Sequence, residues 1–128
     1  EPELIERLSV LACEQDLELA TNVFPRSYPP GTSVEVISLP AMRRVTSATH
    51  DPDDREHVTR YIYRRPEQFR VKNVSACDGR YEGISLAVDT PEDLSKMSWI
   101  AEQADGPVEM MTLDELVNLA RRWTDEIS

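Results

Sequence analysis

The sequence predicts an α/β fold. Stretches with apolar residues every third or fourth position alternate with stretches of period two, and each change of period falls at a proline, a glycine or a helix-capping residue. Between residues 84 and 94 one strand pattern runs directly into a helix start, the arrangement expected of α/β units.

Residues 2 to 15 read as an amphipathic helix, with Leu4, Leu8 and Leu11 on one stripe and Ile5 and Ala12 beside it. Residues 17 to 24 alternate as Leu17, Leu19, Thr21 and Val23 and predict a strand. The run Pro25-Arg26-Ser27-Tyr28-Pro29-Pro30-Gly31 is a loop, since three prolines and a glycine sustain neither a ladder nor a helix. A second strand is expected from Ser33 to Ser38, with Val34 and Val36 facing one way and Glu35 the other, after which Ser38 caps a short helix starting near Pro40. The cluster His50-Asp51-Pro52-Asp53-Asp54 opens another helix, whose stripe of Val58, Tyr61 and Ile62 runs on until Pro66. Phe69 to Val74 is a strand, followed by a polar turn through Asp78, Gly79 and Gly83.

Ile84, Leu86 and Val88 then alternate as a strand with one buried face. Thr90 is a good N-cap, Pro91 suits the first helical turn, and Glu92 and Asp93 fall where the helix dipole favours acids. Asp89 is thereby expected at the carboxyl end of a strand. Ligands of open α/β sheets bind along that edge, so Asp89 is a candidate metal or substrate ligand; a second cap for the helix fits its position equally. The helix carries Leu94, Met97, Ile100 and Ala101 and ends at Gly106-Pro107. Thr112 and Glu115 form a capping box for a last helix with Leu116, Val117, Ala120 and Trp123 on one side.

No internal repeat, low-complexity run or interdomain linker divides the 128 residues, which are read as one unit. The net charge of -10 argues against long nucleic acid or an anionic membrane as partner, and leaves room for a small polyanion such as a nucleotide. No apolar run approaches the roughly 20 residues of a membrane span. The opening Glu1-Pro2-Glu3 lacks a basic and an apolar leader region, which gives a cytoplasmic expectation. Cys13 and Cys77 stand far apart without an adjacent His and are read as reduced, partly buried thiols. No GxGxxG and no GxxxxGK[ST] occurs, and four glycines offer little material for a phosphate cradle.

Four blocks carry a resemblance: Asn22-Val23-Phe24-Pro25-Arg26-Ser27-Tyr28-Pro29-Pro30-Gly31, Val34-Glu35-Val36, Arg55-Glu56-His57-Val58-Thr59, and Val88-Asp89-Thr90-Pro91-Glu92-Asp93-Leu94. In this order, over almost the whole chain, they resemble the C-terminal half of the spore-coat polysaccharide biosynthesis cytidylyltransferases, relatives of the CMP-KDO and CMP-N-acylneuraminate synthetases. The resemblance implies a nucleotide-diphospho-sugar transferase-like fold, a three-layer mixed sheet flanked by helices, of which the N-terminal nucleotide-binding half is absent here. It implies nucleotidyl transfer, in which a sugar oxygen attacks the α-phosphate of CTP and pyrophosphate leaves. Positioning and charge neutralisation supply most of the rate in such a reaction, so no catalytic residue is assigned to this chain.

By the same resemblance Asp89 binds Mg²⁺ together with an acid outside this chain, and Arg26, Tyr28, Gly31, Glu35, Arg55, Glu56 and His57 bind substrate. The residues themselves also fit plainer roles. Arg26 and Glu35 suit a solvated surface, and Tyr28 suits a loop residue packed over the core. Arg55 could bridge Asp51 or Asp54, and His57 could pack half-buried. The family usually has Asp two positions before Glu35; Ser33 stands there, so the acceptor sugar is left open. Met110-Met111, Trp99 and Trp123 read as core or docking surface.

The expected function is synthesis of a CMP-sugar from an acidic or modified sugar for surface polysaccharide, with CTP and the sugar acceptor as partners of the intact protein and the fragment alone inactive. A glycosyltransferase of similar architecture and a non-catalytic binding or dimerisation module are the alternatives. Unpaired sheet edges template association, so a homo-oligomer is expected, with helix 91 to 104 or the last helix as contact surface.

Overall fold

The computed structural model describes residues 2–127. Among them the chain runs α1 (Pro2–Glu14), β1 (Leu19–Thr21), β2 (Glu35–Ile37), α2 (Leu39–Ala48), α3 (Pro52–Glu56), α4 (Val58–Arg64), β3 (Val71–Asn73), α5 (Pro91–Gln103) and α6 (Leu113–Glu126), with single 3₁₀ turns at Pro66–Gln68 and Val108–Met110. The sheet order is β2-β1-β3, with β1 antiparallel to β2 and parallel to β3.

Successive residues of a strand point to opposite faces. Leu19 accordingly packs with Ala41 and Val45 of α2, Ile62 of α4 and Phe69. Ala20 joins a second cluster with Leu4 and Leu8 of α1, Tyr28, Leu86, Ile100 of α5, and Leu113, Val117 and Ala120 of α6. Leu8 and Ile62 are wholly buried, and each contributes about 1.5–3 kcal/mol over an exposed position. Both faces of β1 are therefore covered, where the alternation of residues 17 to 24 predicts only one buried face.

The predicted strand over 17–24 is cut to Leu19–Thr21 because a side chain takes over from the ladder. The Asn22 N–H still donates to the Val34 carbonyl (3.2 Å), but the return bond is taken by the side chain: Asn22 Oδ1 accepts the Val34 N–H (2.8 Å) and its Nδ2 donates to the Thr32 carbonyl (2.9 Å), which stitches the chain to the loop. At the other end, the buried carboxylate of Glu18 accepts from Arg44 of α2 and from the Arg70 N–H (3.1 Å), joining α2 to the start of β3. The strands expected over 33–38 and 69–74 likewise contract to their central three residues.

The helix expected from residue 51 to Pro66 is two helices, broken at His57, whose φ of −120° and ψ of 75° leave the helical region. Asp54 in the middle of α3 is buried against Thr49, which donates to it (3.1 Å), and faces Arg60 of α4 (3.7 Å), so the acid turns inward and links the two helices.

The largest correction concerns residues 84–89, which form no strand. The segment has no regular structure, with Leu86 buried and Val88 51% exposed, and the Leu86 N–H donates to the Pro30 carbonyl (2.8 Å). A strand is defined by a ladder of neighbours, and no described strand lies alongside it. Asp89 is therefore not at the end of a strand. The helix start beyond it is as expected: the Thr90 hydroxyl accepts the Asp93 N–H (3.1 Å) and the Asp93 carboxylate accepts the Thr90 N–H (3.0 Å). Thr112 and Glu115 close the same box at α6. In α5, Ile100 and Met97 face the core, whereas Leu94 and Ala101 face solvent. Both cysteines are free and exposed, which corrects the expectation of partial burial. No helix among the described residues is long and apolar enough to cross a membrane.

Candidate functional site

A polar relay crosses the end of the sheet. Thr21, at the last position of β1, is opposite Glu35 in β2 and Asn73 in β3. Its hydroxyl accepts the Val23 N–H (3.2 Å) and contacts the Tyr63 hydroxyl at 2.8 Å. Tyr63 in turn donates to Glu35 Oε2. A phenol has one proton to give, so the order is fixed: Val23 N–H to Thr21, Thr21 to Tyr63, Tyr63 to the Glu35 carboxylate. Burial, with the hydrogen bond to Glu35 next, pushes the Tyr63 hydroxyl well above the ordinary tyrosine range. It stays a donor throughout neutral and mildly alkaline pH.

The proline-rich loop completes this face. The Phe24 ring lies against Tyr63, centroids 4.7 Å apart, while remaining 38% exposed. Asn73 holds the loop from below: its Oδ1 accepts the Phe24 N–H (2.9 Å) and its Nδ2 donates to the Pro25 carbonyl (3.0 Å). The Phe24–Pro25 peptide is cis. Val23 and Arg26 bridge as an isolated antiparallel pair, which brings Arg26 back over the sheet end, where Nη2 donates to Ser33 Oγ (2.9 Å) and the guanidinium acts on Tyr63 electrostatically. An exposed carboxylate in a fixed pose, a guanidinium with donors to spare and an exposed aromatic ring thus share one surface. Such a surface can hold a polyhydroxylated or carboxylated small molecule.

The other expected site residues are distributed differently. Tyr28 is buried, its ring stacked on Tyr81 (5.7 Å, 30°) within the core on the far side of β1 from Tyr63. Gly31, at φ +96°, presses main chain on main chain: a Cβ there would come within 2.5 Å of the Leu86 carbonyl carbon. Arg55 meets no acid; its Nε donates to the Thr49 carbonyl and its Nη2 to the Thr46 carbonyl, both at 3.3 Å, and Nη2 lies 3.2 Å from His50 Nδ1. It closes the C-terminal end of α2, a favourable place for a cation. Of the two acids expected for Arg55, Asp54 faces Arg60, which also pairs with Asp53 (3.2 Å), and Asp51 caps α3. Glu56 and His57 are exposed at the α3–α4 break, so His57 is not half-buried.

Asp89 is exposed, and its carboxylate enters no hydrogen bond or ion pair among the described residues. Its own N–H donates to Asp93 Oδ2 (3.1 Å), and this bond, with the Thr90 contacts, holds the Asp93 carboxyl below the usual carboxylate range. Lys96 donates to the Ser85 carbonyl (2.7 Å), which fixes the segment leading to Asp89 against α5. No group of three or more His, Cys, Asp or Glu side chains among the described residues could hold a metal ion. A lone exposed carboxylate such as Asp89 can offer a divalent cation one oxygen and is not a self-sufficient site.

Reasoning from sequence alone missed Thr21, Tyr63 and Asn73. Tyr63 carries a usable signal: it stands off the Val58, Tyr61, Ile62 stripe of its helix, where an aromatic ring needs another surface to pack on.

No family model and no curated protein matches the sequence. In three dimensions the chain is similar to a cytidylyltransferase from Leptospira borgpetersenii serovar Hardjo-bovis (strain JB197), with a TM-score of 0.86 at 18% sequence identity over 96% of this chain. The chain spans about half of that protein, 51% of its length. At this level of identity the likeness establishes the fold, a cytidylyltransferase-like mixed α/β arrangement.

Proposed function

We propose that this chain forms the acceptor-binding half of a cytidylyltransferase that joins CTP to an acidic or modified sugar. The main support is the Glu35 carboxylate, fixed by Tyr63 beside Arg26 and the exposed Phe24 ring, in a chain whose fold is that of a cytidylyltransferase. The family resemblance of the four sequence blocks adds the spore-coat type, the C-terminal position, the three-layer architecture and a role in surface polysaccharide synthesis.

In this reading Glu35 accepts from sugar hydroxyls, since a carboxylate offers acceptors only and sugar hydroxyls bring the protons. Arg26 donates to the acidic group of the sugar, and Phe24 covers its C–H face. Tyr28 and Gly31 serve indirectly by anchoring the loop that carries Arg26, through the Tyr81 stack and the Leu86 main chain. Arg55 keeps the corner between α2 and α3 in place, with Glu56 and His57 left facing solvent beside it. Asp89 gives one oxygen to Mg²⁺. When bound there, the metal would supply charge neutralisation for the triphosphate; in the reaction itself a sugar oxygen forms its bond to the α-phosphorus and the bond to the departing pyrophosphate breaks. The fixed poses of Glu35 and Arg26 would then matter through orientation.

The test is pyrophosphate release by the complete protein from CTP with a panel of carboxylated sugars. Glu35→Gln is expected to raise the acceptor KM about tenfold with the CTP KM unchanged, one charge-assisted hydrogen bond being converted to a neutral one. Asp89→Asn is expected to lower kcat. Release of free nucleotide from a nucleotide sugar, with no pyrophosphate from CTP, would make the protein a glycosyltransferase and overturn the reading.

A further inference from the structure

A cavity of about 230 Å³ has a wall that includes Arg7, Tyr28, Ser75, Cys77, Arg80 and Tyr81, none of them a residue of the Glu35 surface. Two arginines and no carboxylate line it, in a chain of net charge -10. Arg7 forms no hydrogen bond or ion pair within the described residues, although acids outnumber cations in the sequence by 24 to 14. Such a guanidinium on an otherwise acidic surface is available to an incoming anion.

The rest of the wall is built to stay in place. Tyr28 and Tyr81 stack, and both are buried. The Tyr81 hydroxyl donates to Asp114 Oδ1 (2.9 Å), which fixes its ring. Arg80 reaches the same carboxylate at 3.8 Å and its guanidinium also donates to the Tyr81 hydroxyl, while its carbonyl accepts from Arg121, so the side chain is held at the cavity wall with further N–H donors to offer. Ser27 accepts the Ala76 N–H (2.7 Å) and anchors the loop bearing Ser75 and Cys77.

We infer that this cavity binds a small oxyanion, a phosphate or pyrophosphate group, clasped between Arg7 and Arg80 over the Tyr28–Tyr81 pair. Guanidinium forks match phosphoryl oxygens in geometry as well as charge, and an aromatic wall limits competing water. The site is separate from the Glu35 surface and does not depend on the activity proposed for it.

Cys77 supplies the readout, because it lines the cavity and is exposed, and Cys13, exposed on α1 and outside the wall, is the internal control. Alkylation of each thiol by iodoacetamide is followed by peptide mass spectrometry with inorganic phosphate, inorganic pyrophosphate, or potassium chloride of equal ionic strength. At about four times its Kd the bound oxyanion slows Cys77 about fivefold, since only the free protein reacts, and leaves Cys13 unchanged. Arg7→Gln and Arg80→Gln each raise the Kd about tenfold or more, the loss of one charge-assisted contact, which at the same oxyanion concentration cuts the fivefold slowing to about 1.4-fold or less. Equal slowing of both thiols, equal protection by chloride, or no protection by either oxyanion overturns the inference. Protection that survives both arginine substitutions overturns it as well, since the anion would then sit elsewhere.

Discussion

Replacing Tyr63 by Phe removes one oxygen and little else. The ring contact with Phe24 at 4.7 Å needs no hydroxyl, so the change isolates the relay at the end of the sheet. Two interactions are lost. Glu35 gives up a hydrogen bond but is exposed and takes water in exchange, a net cost of about 0.5–1.5 kcal/mol. Thr21 is wholly buried and is left with a hydroxyl proton that nothing accepts, at about 1–3 kcal/mol. Together these amount to about 2–4 kcal/mol, a large share of the 5–15 kcal/mol of a typical domain. Urea unfolding followed by far-ultraviolet circular dichroism is expected to show a midpoint lower by about 1–2 M at unchanged slope. The same measurement with Glu35→Ala, which removes the acceptor, in both backgrounds closes a double-mutant cycle, and a coupling of at least about 0.5 kcal/mol is expected for groups in direct contact. A midpoint that does not move, or a coupling of zero, would refute the relay and make Tyr63 a packing residue.

At Gly31 an alanine meets the Leu86 and Ala87 main chain at 2.5–2.6 Å in a backbone conformation of φ +96°, so Gly31→Ala is expected to destabilise the protein by about 2–4 kcal/mol. Calorimetry that finds wild-type stability for this variant would mean that the loop and the 84–89 segment are not in contact. The Asp93 carboxyl, held low by the Asp89 and Thr90 N–H groups, contributes its stabilisation in full above its unfolded value of about 3.9 and loses it as pH falls through the lowered folded value. Amide nitrogen–proton NMR spectra should therefore show the Asp89 and Thr90 signals moving only below the ordinary carboxylate range. Movement at about pH 4 would show that the cap is not formed.

Local chemistry was legible in the sequence, and distant pairing was not. Ser38, Asp51, Thr90 and Thr112 each cap the helix whose start they mark, because a cap bonds two or three residues ahead and the spacing is written in the chain. Strand length was overestimated since a ladder depends on the partner's backbone, and at Asn22 a side chain displaces it. The alternation of Ile84, Leu86 and Val88 did not become a buried face: Leu86 is buried, Ile84 is half-buried like its neighbours Ser85 and Ala87, and Val88 is 51% exposed, because no described strand lies alongside to cover them. Arg55 lies close in sequence to Asp51 and Asp54, and this proximity hid the carbonyls at the end of α2, which only the turn between the helices brings within reach. In the candidate site, Arg26 and Glu35 could be named from the chain, whereas Tyr63, which fixes Glu35 from 28 residues away, could not.

The contact between Gly31 and Leu86 also bears on motion. Pro30 and Leu86 share a hydrogen bond, and the glycine lets the two main chains touch, so the loop bearing Arg26 and the segment leading to Asp89 have no side-chain cushion between them. Side chains absorb small displacements by changing rotamer; abutting backbones cannot. A shift of the loop toward an incoming ligand is therefore passed on to residues 86 and 87, and from there along three residues to Asp89. The Leu86 amide, whose proton is released to solvent only when this joint opens, is the natural hydrogen-exchange reporter of that motion.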